Sequence, residues 1–475
     1  MVTQILNATS VPATSPGTLE RKNQTLRVLE SLRYAINEWV RVSKRNDTNR
    51  QYVTQISTLA TQLGFLLDKV DAQIRAVPAS QSERSTYSAM RLIERRLLWI
   101  QRIWRYFQTK FDQRGDPALA PTLKAADEIV WSCYAQPFRA AGVAVPAVPL
   151  PFVALAFSPY AIPRDEPPQE LRSDVDGGFL NAMLTQLPLP VTGFPPVAVD
   201  EPWWLAYLAH EIGHHVQFDL NAGAMLGAFA DTLEAAGGAR WRGWGKELFA
   251  DCYSLLMIGP WALWALAELV WGEPADMLDD SNPRYPCALV RLVFMSDVAN
   301  RLGFDGTSAL RGLNVENLLA APAMSKNRDL RIAATADLGN VAHVAQAVTS
   351  ARYTQSGTLQ DMAQFEREDF LPGGNVALWS KALRGEGAMV PNGYLKSARL
   401  VLGAGVGAWS AIRNTADEAQ RAKRRLLLQE KLIESIVASR EEIVRLAHTP
   451  AADEVDTRND RLAGLLLADL PEPGM

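Results

Sequence analysis

Three of the five histidines in the chain fall within six residues, as His210, His214 and His215 in LAYLAHEIGHHVQF. The first two bracket a glutamate in the pattern H-E-x-x-H, with Glu211 beside His210. On a helix, residues four apart share a face, so His210 and His214 can aim one ring nitrogen each at a single metal ion. Glu211 is turned about 100° around the helix from His210. Its carboxylate would stand beside the metal, where it can hold a metal-bound water. That arrangement suits hydrolysis. The bare motif also fits an amphipathic helix with two partly buried, paired histidines, so its surroundings decide. Glu247 lies 33 positions after His214 in GWGKELFADCYSLLMIGP, inside a helical run, and supplies a third ligand. Asp251 follows four residues on, and a carboxylate there can accept the second N–H of a ligand histidine and fix its tautomer. Leu248, Phe249, Leu255, Leu256 and Ile258 mark this segment as buried, and buried carboxylates need partners.

Other side chains are candidates of lesser weight. His215 lies four residues after Glu211 and shares its azimuth, so it could line a cleft or donate to a developing oxyanion; such a histidine is more often a core residue. Tyr207, Tyr253 and Tyr285 could each be the oxyanion donor, and the sequence does not choose among them. Cys133, Cys252 and Cys287 have no CxxC spacing and cannot build a disulfide framework. They suit reduced, buried thiols in a reducing compartment. The first residues lack a basic segment followed by an apolar one, so no secretory signal is read and a cytoplasmic location is expected.

HEIGHH followed by ELFAD resembles the HExxH…ExxxD pattern of the gluzincin metallopeptidases. Gly213 before the second histidine and Ala250 before the aspartate look like the branch that contains heat-shock membrane peptidases and CAAX prenyl peptidases. The resemblance covers roughly residues 195–300, about a fifth of the chain. It implies that His210, His214 and Glu247 are zinc ligands, Glu211 the general base and Asp251 an orienter of a ligand histidine. That branch usually carries His-Pro and then Arg-Ile after the ExxxD helix; here the nearest matches are Asn282-Pro283 and Arg291-Leu292.

The elements that must position these residues follow from periodicity and breakers. After a loose arm, residues 1–17, apolar residues at helical spacing predict helices near Thr18–Val42, Gln51–Val77, Arg84–Phe111 and Leu123–Ala141, read together as a helical bundle over 18–142. Eleven prolines between Pro146 and Pro196 exclude a long helix there. Pro151–Ile162 and Pro190–Val199 can hold short strands, expected at sheet edges because of their prolines. Helical patterning resumes at Glu201, with Glu201–Phe218 read as one helix, and the last long helix is expected over Thr415–His448. The fold class is mainly α: an α+β zincin-like metallopeptidase domain over 143–300 with a small Pro-rich strand region, flanked by helical regions, the last over 301–475. The most apolar run, Cys252–Ala267, spans 16 residues, short of the roughly 20 that cross a bilayer. A buried helix is the better reading, although Trp261, Trp264 and Trp271 would also suit a membrane interface.

The chain has 475 residues with Lys+Arg 48 against Asp+Glu 52, a formal net charge of -4. No nucleic-acid partner is expected from that balance. Residues 17–116 hold 18 Lys/Arg and 10 Asp/Glu, net +8, and residues 160–285 hold 6 and 18, net -12. Two solvated faces explain this best; the functional alternative is intramolecular regulation of an acidic cleft by the basic N-terminal bundle. The basic, aromatic stretch Arg84–Phe111 is read as a packed helix with snorkelling arginines. The expected activity is that of a zinc-dependent endopeptidase acting on a peptide or protein substrate. The substrate would lie extended along an edge strand near Val153–Ser158. The alternative is a non-catalytic helical interaction scaffold with a structural zinc site, which calls for a fourth protein ligand.

Overall fold

A computed structural model describes residues 16–78, 81–163, 189–306, 314–320, 328–353, 357–386, 397–439 and 461. The arm and His448 lie outside the described residues, apart from the start of the first helix at Pro16. The protein is mainly α-helical, with three short strands among the described residues. The chain divides into two compact units, one built from Met1–Asp112 with Arg164–Pro188 and Thr449–Met475, the other from Gln113–Pro163 and Leu189–His448.

In the first unit the helices Pro16–Arg45, Val53–Ala76 and Glu83–Asp112 pack on one another. The third shows why: Met90, Ile93, Leu97, Ile100, Trp104, Phe107 and Phe111 recur at alternating steps of three and four and are all buried, forming one apolar stripe. Polar ties join the helices. Trp39 Nε1 donates to Asp112 Oδ1 at 3.1 Å, and Arg96 Nη1 donates to Gln73 Oε1 at 2.7 Å. Arg102 and Arg105 lie over the rings of Trp99 and Trp104, at 4.6 and 4.5 Å. Their heads cover aromatic faces that would otherwise meet water.

The second unit carries the HExxH segment. Its first long helix, Ala120–Ala140, is buried along most of its length. The strands are β1 (Leu150–Val153), β2 (Tyr160–Ile162) and β3 (Val191–Phe194), in the order β1-β3-β2, with β1 parallel and β2 antiparallel to β3. The prolines do not push β3 to the edge as expected: Pro190 and Pro195 flank it, so it keeps a full set of ladder groups and takes the centre. Pro151 does sit in an edge strand. Leu150 N and Ala154 N bond inward to Pro190 O and Phe194 O, which turns the N–H-less Pro151 outward.

The outer side of β1 is closed. Arg114 Nη2 donates to Pro151 O at 3.0 Å, while the Gln113 amide takes both Val153 N and Val153 O at 2.8 Å, as a neighbouring strand would. Arg114 is itself held by the buried Asp127 at 2.5 Å. The edge expected to receive a substrate at Val153 is therefore already paired.

The segment read as one helix from Glu201 to Phe218 is two. Pro202–Ala206 forms a tight 3₁₀ turn, and the HExxH helix runs Tyr207–Asp219. It lies against the helix Gly245–Ile258, which bears Glu247 and is buried along nearly all its length. A Cβ at Gly213 would stand 2.9 Å from Ala250 Cα and 3.3 Å from Tyr253 Cβ. Only glycine lets the two backbones come this close. The apolar run read from Cys252 to Ala267 breaks at Gly259, which has φ +70, and Pro260; Trp261–Val270 then begins a new buried helix. No helix among the described residues is long and apolar enough to cross a membrane.

The C-terminal helices pack around these. Arg328–Ser350 covers Ala288–Arg301 and Ala224–Gly237. Arg399, at the start of Ala398–Ile412, donates from Nη1 to Leu256 O and Met257 O at 3.2 Å. A cation on the last carbonyls of the Glu247 helix satisfies groups the helix leaves unpaired. Glu418–Ala438 begins with Asp417 capping Gln420 N at 3.0 Å.

Gly213→Val should force the HExxH and Glu247 helices apart. A loss of about 3 kcal/mol is expected from overpacking at a backbone contact, read as a lower urea midpoint. An unchanged midpoint would show that the contact tolerates a side chain.

Candidate metal centre

The HExxH helix and the helix Gly245–Ile258 bring His210, His214 and Glu247 together, with one ligand atom from each lying within 4.8 Å of the others. His210 Nε2 is 3.4 Å and His214 Nε2 is 3.6 Å from Glu247 Oε2. The two rings stand at 88° with centroids 4.8 Å apart. Each Nε2 faces the gap because something else holds the far nitrogen. His210 Nδ1 lies 2.9 Å from Asp251 Oδ1. A carboxylate only accepts, so Nδ1 carries a proton, and Nε2 is the nitrogen that would give its lone pair to a metal once its own proton is displaced. His214 Nδ1 lies 2.8 Å from Gln217 Nε2.

Asp251 is buried and gripped by Arg291, which donates from Nε to Oδ2 at 2.7 Å and from Nη2 to Oδ1 at 2.8 Å. Burial would raise the Asp251 pKa, but the guanidinium and His210 bring it below the ordinary aspartate value. Arg291 Nη2 also reaches to 3.7 Å from Glu247 Oε2. Burial raises the Glu247 carboxyl as well, yet its bonds to His210 and His214 win and hold it well below the usual range. Burial disfavours a charged His210, but hydrogen bonds to Asp251 and Glu247 overcome this and carry its pKa up to about 10 in the metal-free protein.

Glu211 is buried, and burial lifts its carboxyl pKa against the opposing pull of His210 and His214. It is not one of the clustered ligand residues. The helical azimuth, about 100° from His210, accounts for its place outside the ligand set. A carboxyl shifted upward beside a metal site has the pKa direction wanted of a general base.

The chemistry of the set fits a divalent transition metal. Two imidazoles and a carboxylate, with ligand atoms within 4.8 Å of one another, could hold a metal ion. Three buried carboxyl groups, Glu211, Glu247 and Asp251, lie near one guanidinium and the two imidazoles, so a cation that displaced the His210 proton would still meet an acidic surround. Cys133, Cys252 and Cys287 are buried and outside the cluster.

The remaining candidates separate cleanly. His215 is directed away from the cluster: it is buried, and its Nε2 lies 2.9 Å from Thr192 Oγ1 on β3, pinning the helix to the sheet. Tyr253 spends its hydroxyl on Cys133 O at 2.5 Å. Tyr207 stacks on Trp204 at 5.5 Å, and its charged neighbour is Glu268. Tyr285 is the tyrosine that reaches the cluster. The Glu247 and Glu211 carboxylates act on its phenol, and Arg291 lies over its ring at 5.6 Å. Burial, with the Glu247 charge next, pushes its pKa up to about 12.

Sequence reasoning passed over Gln217 and saw Arg291 only as a partial motif match. Both left a signal. Gln217 is three residues after His214 and so on its face of the helix, and Arg291 stands alone in the apolar run ALVRLVF, where a charge needs a partner.

No protein-family model, curated protein or solved structure matches this chain.

The elevated His210 pKa has two measurable consequences. In the metal-free protein the folded value, about 10, exceeds the ordinary 6.5. The stabilisation is thus complete below about 6.5 and lost as pH rises toward 10. Thermal unfolding of metal-free protein should show this fall, and His210→Ala should flatten it. A metal bound here would displace that proton, so uptake of a divalent metal at neutral pH should release protons, seen calorimetrically as a binding enthalpy that varies with the buffer. A buffer-independent enthalpy would contradict the assignment.

Proposed function

We propose that the protein is a zinc-dependent peptidase of gluzincin type, in keeping with the resemblance of HEIGHH…ELFAD to that group. The supporting observation is the convergence of His210, His214 and Glu247, with Glu211 adjacent but outside the ligand set. Zinc held by these three residues would polarise the scissile carbonyl and acidify the attacking water. Glu211 takes the proton from that water at its carboxylate and returns it to the leaving amine. Its burial excludes bulk water from this exchange. Asp251, locked by Arg291, holds His210 in the ligating tautomer.

Tyr285 donates its hydroxyl to the developing oxyanion. Burial raises its pKa, so the phenol keeps its proton to donate. The substrate lies extended along β2, the edge strand that packs against the HExxH helix, since β1 is closed by Gln113 and Arg114. The competing reading, a structural clamp in a helical scaffold, calls for a fourth protein ligand. Among the described residues the cluster has three, which favours a site with an open position.

Glu211→Gln and Tyr285→Phe test the two roles, with a mixed peptide library as substrate and mass spectrometry as readout. Glu211→Gln should keep zinc content and thermal stability near the parent's while cleavage falls about 10²–10⁴-fold. Tyr285→Phe should lower turnover by about 10²-fold with little change in zinc. Unchanged cleavage by Glu211→Gln would move the activity elsewhere. A zinc-loaded parent that cleaves nothing would support the clamp.

A further inference from the structure

His210 and His214 are held by different kinds of partner. The carboxylate of Asp251 can only accept, and fixes the His210 proton on Nδ1. The amide of Gln217, by contrast, can present either its N–H or its carbonyl to His214 Nδ1, and the choice sets the tautomer. With the N–H toward Nδ1, that nitrogen must accept, and the ring N–H lies on Nε2, 3.6 Å from Glu247 Oε2. That tautomer cannot ligate. With the carbonyl toward Nδ1, the proton stays on Nδ1 and the Nε2 lone pair faces the gap between His210 and Glu247.

We propose that Gln217 is a positioning residue for His214, and that metal binding selects the amide orientation whose carbonyl accepts the His214 Nδ1 proton. The inference rests on the metal site of the preceding reading and not on what the site does to a substrate. Three observations carry it. Gln217 is on the same helix, one turn after His214, so the contact is built into the HExxH element. Its side chain is buried, which keeps bulk water from taking over the role of partner. With the amide nitrogen 2.8 Å from Nδ1, Gln217 Oε1 is buried without a partner. No competing bond holds that oxygen, so a half-turn of the amide gives up only the one bond to His214 and replaces it with its reverse. His214 would thus behave as a two-state ligand whose readiness is set by Gln217, while His210 is preset by Asp251.

Two substitutions separate this from a packing role. Gln217→Leu fills the same space with no acceptor. Gln217→Glu offers only acceptors. Zinc affinity of the full chain is measured by competition with a chromophoric chelator, alongside thermal unfolding of the metal-free proteins. Gln217→Leu should bind zinc about 10–100-fold more weakly, the usual effect of removing the partner of a ligating histidine. Gln217→Glu should bind within a few-fold of the parent or more tightly. Should Gln217→Leu fold poorly, Gln217→Glu still decides: zinc binding 10-fold or more weaker than the parent's would overturn the carbonyl-acceptor role. So would Gln217→Leu binding zinc as tightly as the parent. A parent that binds no zinc would instead remove the metal reading on which the inference stands.

Discussion

Glu211, Glu247 and Asp251 are buried around one small volume, and the structure around them depends on how their charge is offset. An isolated carboxylate out of water is costly enough that it would protonate instead. Asp251 stays ionised because Arg291 meets it with two parallel N–H bonds, the geometry in which a guanidinium compensates a carboxylate best. Glu247 draws on His210, His214 and the same Arg291. Three helices, Tyr207–Asp219, Gly245–Ile258 and Ala288–Arg301, are thereby tied through charge as well as apolar packing. Breaking such a pair by removing one partner costs about 3–5 kcal/mol, far more than an exposed ion pair contributes.

That electrostatic cluster requires two helices at unusually short range. Gly213 and Ala250 meet backbone to backbone, which sets His210 and His214 opposite Glu247 without long side chains bridging a gap. Shape is thus spent on proximity at one point of the helix pair, while the flanking positions, Ile212, Val216, Leu248 and Phe249, supply ordinary core packing. The C-terminal region contributes to the same element. Arg399 closes the last carbonyls of the Glu247 helix, and Trp409 stacks on Trp203 just before the HExxH helix at 4.2 Å.

The small sheet has a comparable division of labour. β3 holds the HExxH helix through Thr192 and His215. β1 is sealed by side chains that imitate a strand, and an amide that bonds both groups of Val153 leaves that edge nothing to offer. β2 remains as the edge beside the HExxH helix.

The helices were legible in the sequence because periodicity is local. The predicted Arg84–Phe111 is Glu83–Asp112, and Gln51–Val77 is Val53–Ala76. The meeting of His210, His214 and Glu247 was legible for a related reason: i, i+4 spacing fixes two donors on one face, and carboxylates in an apolar run demand partners. What sequence could not supply was anything set by the rotation of one element against another. His215 and Glu211 share an azimuth, yet one bonds β3 and the other stands beside the cluster, because they sit one turn apart and meet different neighbours. Tyr207, Tyr253 and Tyr285 were equivalent on paper; a loop's path brought Tyr285 to Glu247, while Tyr253 was consumed by Cys133 O. Flanking prolines looked like an edge signal for β3, but the place of a strand in a sheet depends on which neighbours arrive, and its own residues carry no record of them. Local spacing determined which residues could act; the packing of helix on helix and helix on sheet decided which of them meet.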